Sequence, residues 1–324
     1  MAIGGAAARR PRDAPNLTSQ PAAVREESSF LSHGIRCAAW VYRPTAPPSS
    51  DLPVIVMAHG FGCIRALRLP AYAQRFAAAG YVVVVFDYRY FGDSDGRPRQ
   101  LLDIAAQLDD WRAAIGWART LEGVDPARVI GWGTSLSGGH VITLAATGAP
   151  LTAIIAQVPH VDGFAAARTA GMRHAAGLLP AALADTWRAL LHRTPRYLNS
   201  IGAPGTRSIM ATPDAWAALG RMAASDGLTL EDFPITVAAR IVFRIGLYSP
   251  IRHAAAVRCP ALIQVASDDD LTPTRQAREA ASRMPRATLK TYPGRHFDVY
   301  IEPLFTSVVA DQLEFLRAVA PVTP

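Results

Sequence analysis

The stretch Arg128-Val129-Ile130-Gly131-Trp132-Gly133-Thr134-Ser135-Leu136-Ser137-Gly138-Gly139 decides the fold. Its first half is a short apolar run that reads as a strand ending at Trp132, and a helical pattern over Ser137 to Ala146 follows with almost no linker. A serine at such a strand-to-helix bend, a nucleophile elbow, needs small residues two positions to either side, where the two backbones approach. Gly133 meets that need on one side; Ser137 departs from the G-x-S-x-G pattern on the other but stays small. The departure leaves two registers open, since Gly139 follows Ser137 by two residues. A strand ending at Trp132 puts the tight turn at Gly133 to Ser135, which favours Ser135 as nucleophile and keeps Ser137 as the alternative. A phosphate-binding loop fits less well: the lysine of a P-loop is missing, and Gly131-Trp132-Gly133 is followed three residues later by Leu136, not glycine.

Outward from this stretch, apolar runs alternate with helical patterns, as in parallel strands joined by crossover helices. Strands are predicted at Ile35 to Tyr42, Pro53 to Ala58, Tyr81 to Phe86, Arg128 to Trp132, Ala153 to Val158, Ala261 to Ala266 and Thr288 to Tyr292. The β-branched run Val82 to Val85 suits a sheet covered on both faces. Helices are predicted at Leu69 to Ala79, Leu101 to Leu121, Ser137 to Ala146, Thr274 to Met284 and Pro303 to Val319. Residues 159–258 break the rhythm. They are helical in pattern, punctuated by prolines and without a convincing sheet strand, so the expected organisation is a flexible tail over 1–29, a core from 30–158 and 259–324, and an inserted helical lid over 159–258.

A serine hydroxyl is a weak nucleophile and needs a base. His296 sits after the last predicted strand, in Tyr292-Pro293-Gly294-Arg295-His296-Phe297-Asp298, ahead of the final helix. The orienting carboxylate is sought after the preceding strand, in Ser267-Asp268-Asp269-Asp270-Leu271-Thr272-Pro273. Asp269, four residues before Pro273, is favoured; Asp268 and Asp270 compete, Asp162 is an outside candidate, and helix capping accounts for one of the run in any case. Amide donors for an oxyanion are readable at Leu136, directly after the serine, and at Phe61 in the His59-Gly60-Phe61-Gly62 turn. His59 is expected to shape that turn.

Together, Ala58-His59-Gly60-Phe61-Gly62, Phe86-Asp87-Tyr88-Arg89-Tyr90-Phe91-Gly92, the serine stretch and Gly294-Arg295-His296-Phe297-Asp298 resemble the α/β-hydrolase superfamily over about residues 30–320. The nearer resemblance is to dienelactone hydrolases, dipeptidyl-peptidase-like esterases and fungal polyketide acyltransferases. It implies an α/β-hydrolase fold with a mostly parallel, eight-stranded sheet, a Ser-His-Asp triad, no cofactor and no metal. Ser137, and Ala266 where many members have glycine, are departures that remove no catalytic group.

Net charge is +7 with a sequence pI near 9.7, but the charge is dispersed and nearly all arginine, Lys290 being the only lysine, so a nucleic-acid partner is not expected. Cys37, Cys63 and Cys259, odd in number and far apart, suit reduced thiols in a cytoplasm. Arg9, Arg10 and Arg12 precede no apolar signal segment and no later run reaches the length of a span, so no membrane partner is expected. The expected partner is a small-molecule acyl substrate, free or as a carrier-bound thioester; a homodimer is left open.

In the insert, Trp187, Trp216, Tyr197, Phe233, Phe243, Tyr248, Met172, Met210 and Met222 are candidates for an apolar pocket, and Arg168, Arg173, Arg188 and Arg193 for meeting phosphopantetheine or a carboxylate. Ester or thioester hydrolysis through an acyl-serine is the leading reading. Acyl transfer to an alcohol is the second, peptidase activity stays open, and a non-catalytic receptor would call for a broken triad.

Overall fold

A computed structural model describes residues 23–45, 51–203, 205–212 and 215–322. Along the chain it runs β1 (Val24–Ser32), β2 (Ile35–Arg43), β3 (Leu52–Ala58), α1 (Leu69–Ala78), β4 (Val82–Phe86), α2 (Ile104–Ala118), β5 (Val124–Thr134), α3 (Leu136–Ala146) and β6 (Ala153–Gln157). The insert follows with α4 (Gly163–Ala170), α5 (Met172–Leu190), β7 (Tyr197–Ile201), β8 (Ser208–Met210), α6 (Ala215–Ser225), β9 (Thr236–Ala238) and α7 (Val242–Ile245). The chain then closes with β10 (Ala261–Ala266), α8 (Thr274–Arg283), β11 (Ala287–Tyr292) and α9 (Leu304–Val319).

Eight strands form one sheet in the order β1-β2-β4-β3-β5-β6-β10-β11. β2 pairs antiparallel with β1 and β4, and the remaining neighbours are parallel. This is the eight-stranded, mostly parallel sheet that the resemblance implies. Strand periodicity of two sorts its residues between two cores. Val54, Val56, Val82 and Val84 face one way, with Trp111 and Ile115 of α2 and Val141 of α3. Ile55, Met57, Val83 and Val85 face the other, with Tyr72 and Phe76 of α1 and Val308 and Leu316 of α9. Because both faces are covered, β3 and β4 are buried at every position, which is why they read as continuous apolar runs.

Two expectations are corrected. The tail expected over residues 1–29 is shorter at its C-terminal side, since Val24 to Ser29 belong to edge strand β1; residues 1–22 lie outside the described residues. Only Phe30 and Ser32 of β1 are buried, so it carries no alternation to read, and its charged Arg25, Glu26 and Glu27 are what exposed edges use to discourage further pairing. The insert is not purely helical either: β8-β7-β9 form a separate three-stranded sheet. Its strands are three to five residues long and include Asn199, Ser200, Ser208 and Thr236, too short and polar to show a period. Asp185 of α5, fully buried, fastens the insert together: it accepts from Arg240 Nε at 2.7 Å, Arg240 N at 2.9 Å and Arg196 N at 2.8 Å. Burial alone would raise the Asp185 carboxyl, but these donors hold it below the ordinary range.

Candidate active site

β5 runs two residues past Trp132, so the bend falls on Ser135 itself, at φ 55° and ψ −120°. A positive φ is unusual for a residue with a Cβ and persists only where surroundings fix it. Here Ser135 N–H donates to the Gln157 carbonyl at 2.9 Å and His160 N–H donates to the Ser135 carbonyl at 2.8 Å, which pins the bend from β6 and the segment after it. A Cβ on residue 133 would lie 2.1 Å from the Ser137 carbonyl oxygen, so only glycine fits there. Gly60 is similarly close, a Cβ on it meeting Ser135 Cβ at 2.9 Å, and this brings the His59-Gly60-Phe61 turn against the serine.

The structure brings Ser135, His296 and Asp269 into one hydrogen-bonded chain. Ser135 Oγ lies 3.1 Å from His296 Nε2, and His296 Nδ1 lies 2.7 Å from Asp269 Oδ2. Both His296 and Asp269 are buried. Asp269 also accepts Leu271 N–H at 2.9 Å and Thr272 N–H at 2.7 Å on Oδ1, and the Thr272 hydroxyl at 2.7 Å on Oδ2. Burial would raise its carboxyl, yet the facing His296 and these donors outweigh burial and hold it below the usual range, so it stays ionised at neutral pH.

The competitors are elsewhere. Asp268 is exposed and accepts from Ser267 Oγ, Asp270 approaches Arg295 at 3.8 Å, and Asp162 caps α4 by accepting from Phe164 and Ala165 N–H. Ser137 is fully buried and its hydroxyl lies 2.9 Å from that of Tyr88. Ser137→Ala should therefore leave kcat/KM within about threefold while lowering stability by about 1–2 kcal/mol, because a buried hydroxyl partner is left short of a bond. Parallel chemical unfolding and ester kinetics check this; a loss of activity comparable to that of a Ser135 variant would restore the other register.

Phe61, Ser135 and Leu136 share the wall of a cavity of ≈370 Å³. α4, the start of α5, Ile209 and Met210 of β8, Ile245 of α7 and the Asp270 to Thr272 turn complete it, and aliphatic side chains together with Phe61 and Met210 make up just over half of the lining residues. A smaller space of ≈30 Å³ lies on the side of His59, Met222, His296 and Tyr300. Of the aromatic and methionine candidates in the insert, Met210 borders both spaces and Met222 the smaller one. Phe233 is core; Tyr248 Oη lies 2.8 Å from His140 Nδ1 and 3.0 Å from Thr143 Oγ1; Trp187 and Met172 are exposed. Arg168, Arg173, Arg188 and Arg193 are absent from the lining of either space.

Sequence reasoning missed Thr272, His160 and the ion pair behind the Phe61 turn. His160 borders the cavity, and burial first, then the neighbouring His296, pushes its imidazole down to about 4, so it is uncharged at neutral pH. Arg65 and Asp87, both buried, pair through their side chains, and Asp87 also accepts Arg65 N–H at 2.7 Å. The pair fixes the chain just beyond Gly62. Its only sequence signal is the Phe86-Asp87-Tyr88-Arg89 stretch, which does not point to residue 65.

Residues 33–225 match the family described as X-Pro dipeptidyl-peptidase (S15 family). The chain is 41% identical over 293 residues to a quorum-quenching protein, AidA, of Acinetobacter baumannii, covering 90% of this chain and 94% of that one. It is 29% identical over 259 residues to the polyketide transferase ATR5 of Stachybotrys chlorohalonatus, covering 77% and 81%. Among solved structures, the α/β hydrolase GrgF from Penicillium sp. sh18 superimposes with a TM-score of 0.75 at 22% identity, over 92% of this chain and 99% of that one, a likeness of fold. This chain thus belongs to the X-Pro dipeptidyl-peptidase (S15) family and is an enzyme of the α/β-hydrolase superfamily.

Proposed function

We propose that the protein is a serine hydrolase that cleaves a carboxylic ester or thioester of an apolar acyl group through an acyl-Ser135 intermediate. The observation that carries this reading is Ser135 Oγ at 3.1 Å from His296 Nε2 on the wall of an apolar cavity. His296 takes the Ser135 proton as Oγ attacks the acyl carbonyl, and ionised Asp269 holds the imidazole and stabilises its charge. The amides of Phe61 and Leu136, the latter at the α3 N-terminus, receive the negative oxygen; one such donor is worth roughly a hundredfold or more in rate. The leaving alcohol or thiol departs with the proton from His296. Water, deprotonated by the same imidazole, then releases the acid and restores Ser135.

Cavity size and lining favour an apolar acyl chain. The relative named as a quorum-quenching protein fits an ester-cleaving enzyme if the signal it quenches holds an ester bond. The relative named as a polyketide transferase supports a second reading, in which an alcohol under the insert replaces water and the acyl group arrives as a carrier-bound thioester.

Steady-state hydrolysis of aryl esters and thioesters of graded chain length, with product analysis in the presence of alcohols, tests both. Hydrolysis that rises with chain length supports the first reading. A transacylated product exceeding the free acid supports the second, and no acylation by any member of the series overturns both. Ala166, in the cavity wall, supplies a related prediction. Ala166→Phe should lower kcat/KM for long acyl chains at least tenfold relative to short ones, since overpacking a fitted apolar site costs roughly 1–3 kcal/mol.

A further inference from the structure

We infer that the outer face of α5 docks the protein onto an anionic lipid surface. Met172, Leu179, Leu183, Trp187 and Leu190 are all exposed, Trp187 by 65% and Leu190 by 67%. At about 100° per residue they fall within an arc of about 80° on the helix. The opposite side of the same helix is spent: Leu178, Ala182 and Asp185 are buried, and His174, Ala175 and Leu178 border the cavity that holds Ser135. A water-facing helix normally puts charge where these five residues lie, and an exposed apolar stripe of this kind marks an interaction surface.

Charge says what covers it. Arg168, Arg173, Arg193 and Arg196 are exposed, and Arg188 is half-buried on α5 itself. Between residues 163 and 203 the only acid is Asp185, which is buried and bound to Arg240. A helix with leucine, methionine and tryptophan on one face and arginine beside it, in a segment whose only acid is buried, has the make-up of one that lies in the plane of an anionic bilayer. A second copy fits poorly, because an isologous contact through this face would bring two sets of arginines together without a counter-charge. Spanning is not involved, since among the described residues no helix is long and apolar enough to cross a membrane. The sequence reading expected no membrane partner because it weighed only spanning and signal segments; which face of α5 is spent on the core is visible only in the fold. Docked this way, the helix that borders the Ser135 cavity on one side meets lipid on the other, where apolar acyl compounds concentrate.

Flotation of the full chain with vesicles of phosphatidylcholine alone, and of phosphatidylcholine mixed with phosphatidylglycerol, tests the docking. The chain should float with the mixed vesicles at low salt and bind the neutral ones at least tenfold more weakly. Leu183→Ser with Trp187→Ser should lower the affinity at least tenfold, and Trp187→Phe should remove most of the emission blue shift that mixed vesicles induce. Arg173→Gln with Arg193→Gln should weaken binding by roughly fivefold per arginine and flatten its salt dependence. Should the leucine and tryptophan variant lose its circular dichroism signature, the arginine pair and Trp187→Phe carry the test alone. Ser135→Ala should bind vesicles as the unaltered chain does, so failure of the hydrolytic reading leaves this one standing. Equal binding to both vesicle types, no binding, or unchanged binding by the folded variants overturns it. So does a dimer that the Leu183 and Trp187 changes dissociate in the absence of vesicle binding, or capture by an acidic acyl carrier protein alone.

Discussion

Ser135→Ala lowers kcat by roughly a million-fold on any ester the enzyme turns over, and a fluorophosphonate no longer adds mass to the chain. At about 1.4 kcal/mol per decade this is a loss of about 8 kcal/mol of transition-state stabilisation. No other side chain is placed to replace it: Ser137 is bonded to Tyr88 and has no exposure, and the Thr134 hydroxyl is engaged by that of Tyr300. Folding should survive, because alanine keeps the same backbone strain at φ 55° and, among the described residues, the Ser135 hydroxyl bonds only to His296. Unfolding free energy should change by about 1 kcal/mol or less. Intact-mass measurement after probe treatment, beside a chemical melt, checks both halves. A variant that still takes up the probe, or that keeps more than a tenth of its activity, removes the serine from the mechanism.

The register of that serine shows what sequence carries and what it withholds. Small residues around Ser135 are legible because the strand and helix backbones must approach, and the clash at Gly133 shows how little room there is. Which of two serines meets the histidine is set by where β5 stops, and the strand continues to Thr134 rather than Trp132. All seven expected strands lie in the large sheet: six declare themselves by the apolar composition that burial imposes, and β11, an edge strand buried only at Tyr292, by its threonines, Leu289 and Tyr292. β1 does not, because an edge strand with polar side chains is specified mainly by the backbone bonds it makes to β2.

The insert was harder for a related reason. Its strands are stabilised by contacts distant in sequence, such as the Ser200 N–H donated to the Ile235 carbonyl at 2.8 Å and the grip of Asp185 on Arg240. Its apolar residues serve three ends that one sequence pattern cannot separate: Phe233 fills core, Met210 borders the cavity, and Trp187 faces outward. Thr272 was overlooked for a different reason. Leu271 and Thr272 of the turn fold back on the Asp269 carboxylate, and only the fold shows that the threonine hydroxyl also stands 3.2 Å from His296 Nδ1.

That cradle makes Asp269→Asn the second large effect. The asparagine can keep the amide bonds from Leu271 and Thr272 on its carbonyl oxygen, so the turn and the approach of His296 are preserved. The atom facing His296 Nδ1 becomes an NH2 group that donates, which obliges Nδ1 to accept and puts the imidazole proton on Nε2, pointing at Ser135 Oγ. A histidine in that tautomer cannot take the serine proton, and kcat should fall about ten-thousandfold. The variant also tests the charge. A carboxyl held below its ordinary value in the folded state contributes stability above the unfolded pKa of about 3.9 and loses it as pH falls through the folded value. The unaltered protein should therefore exceed Asp269→Asn in stability at neutral pH; the gap should begin to narrow near pH 4, where the unfolded aspartate protonates, and close only as pH falls through the lower folded value. Melts of the two proteins across that window, with ester kinetics at neutral pH, separate an orienting carboxylate from a merely structural one. Retained activity in Asp269→Asn, with loss in Asp268→Asn or Asp270→Asn instead, would transfer the role to a neighbour in the same turn.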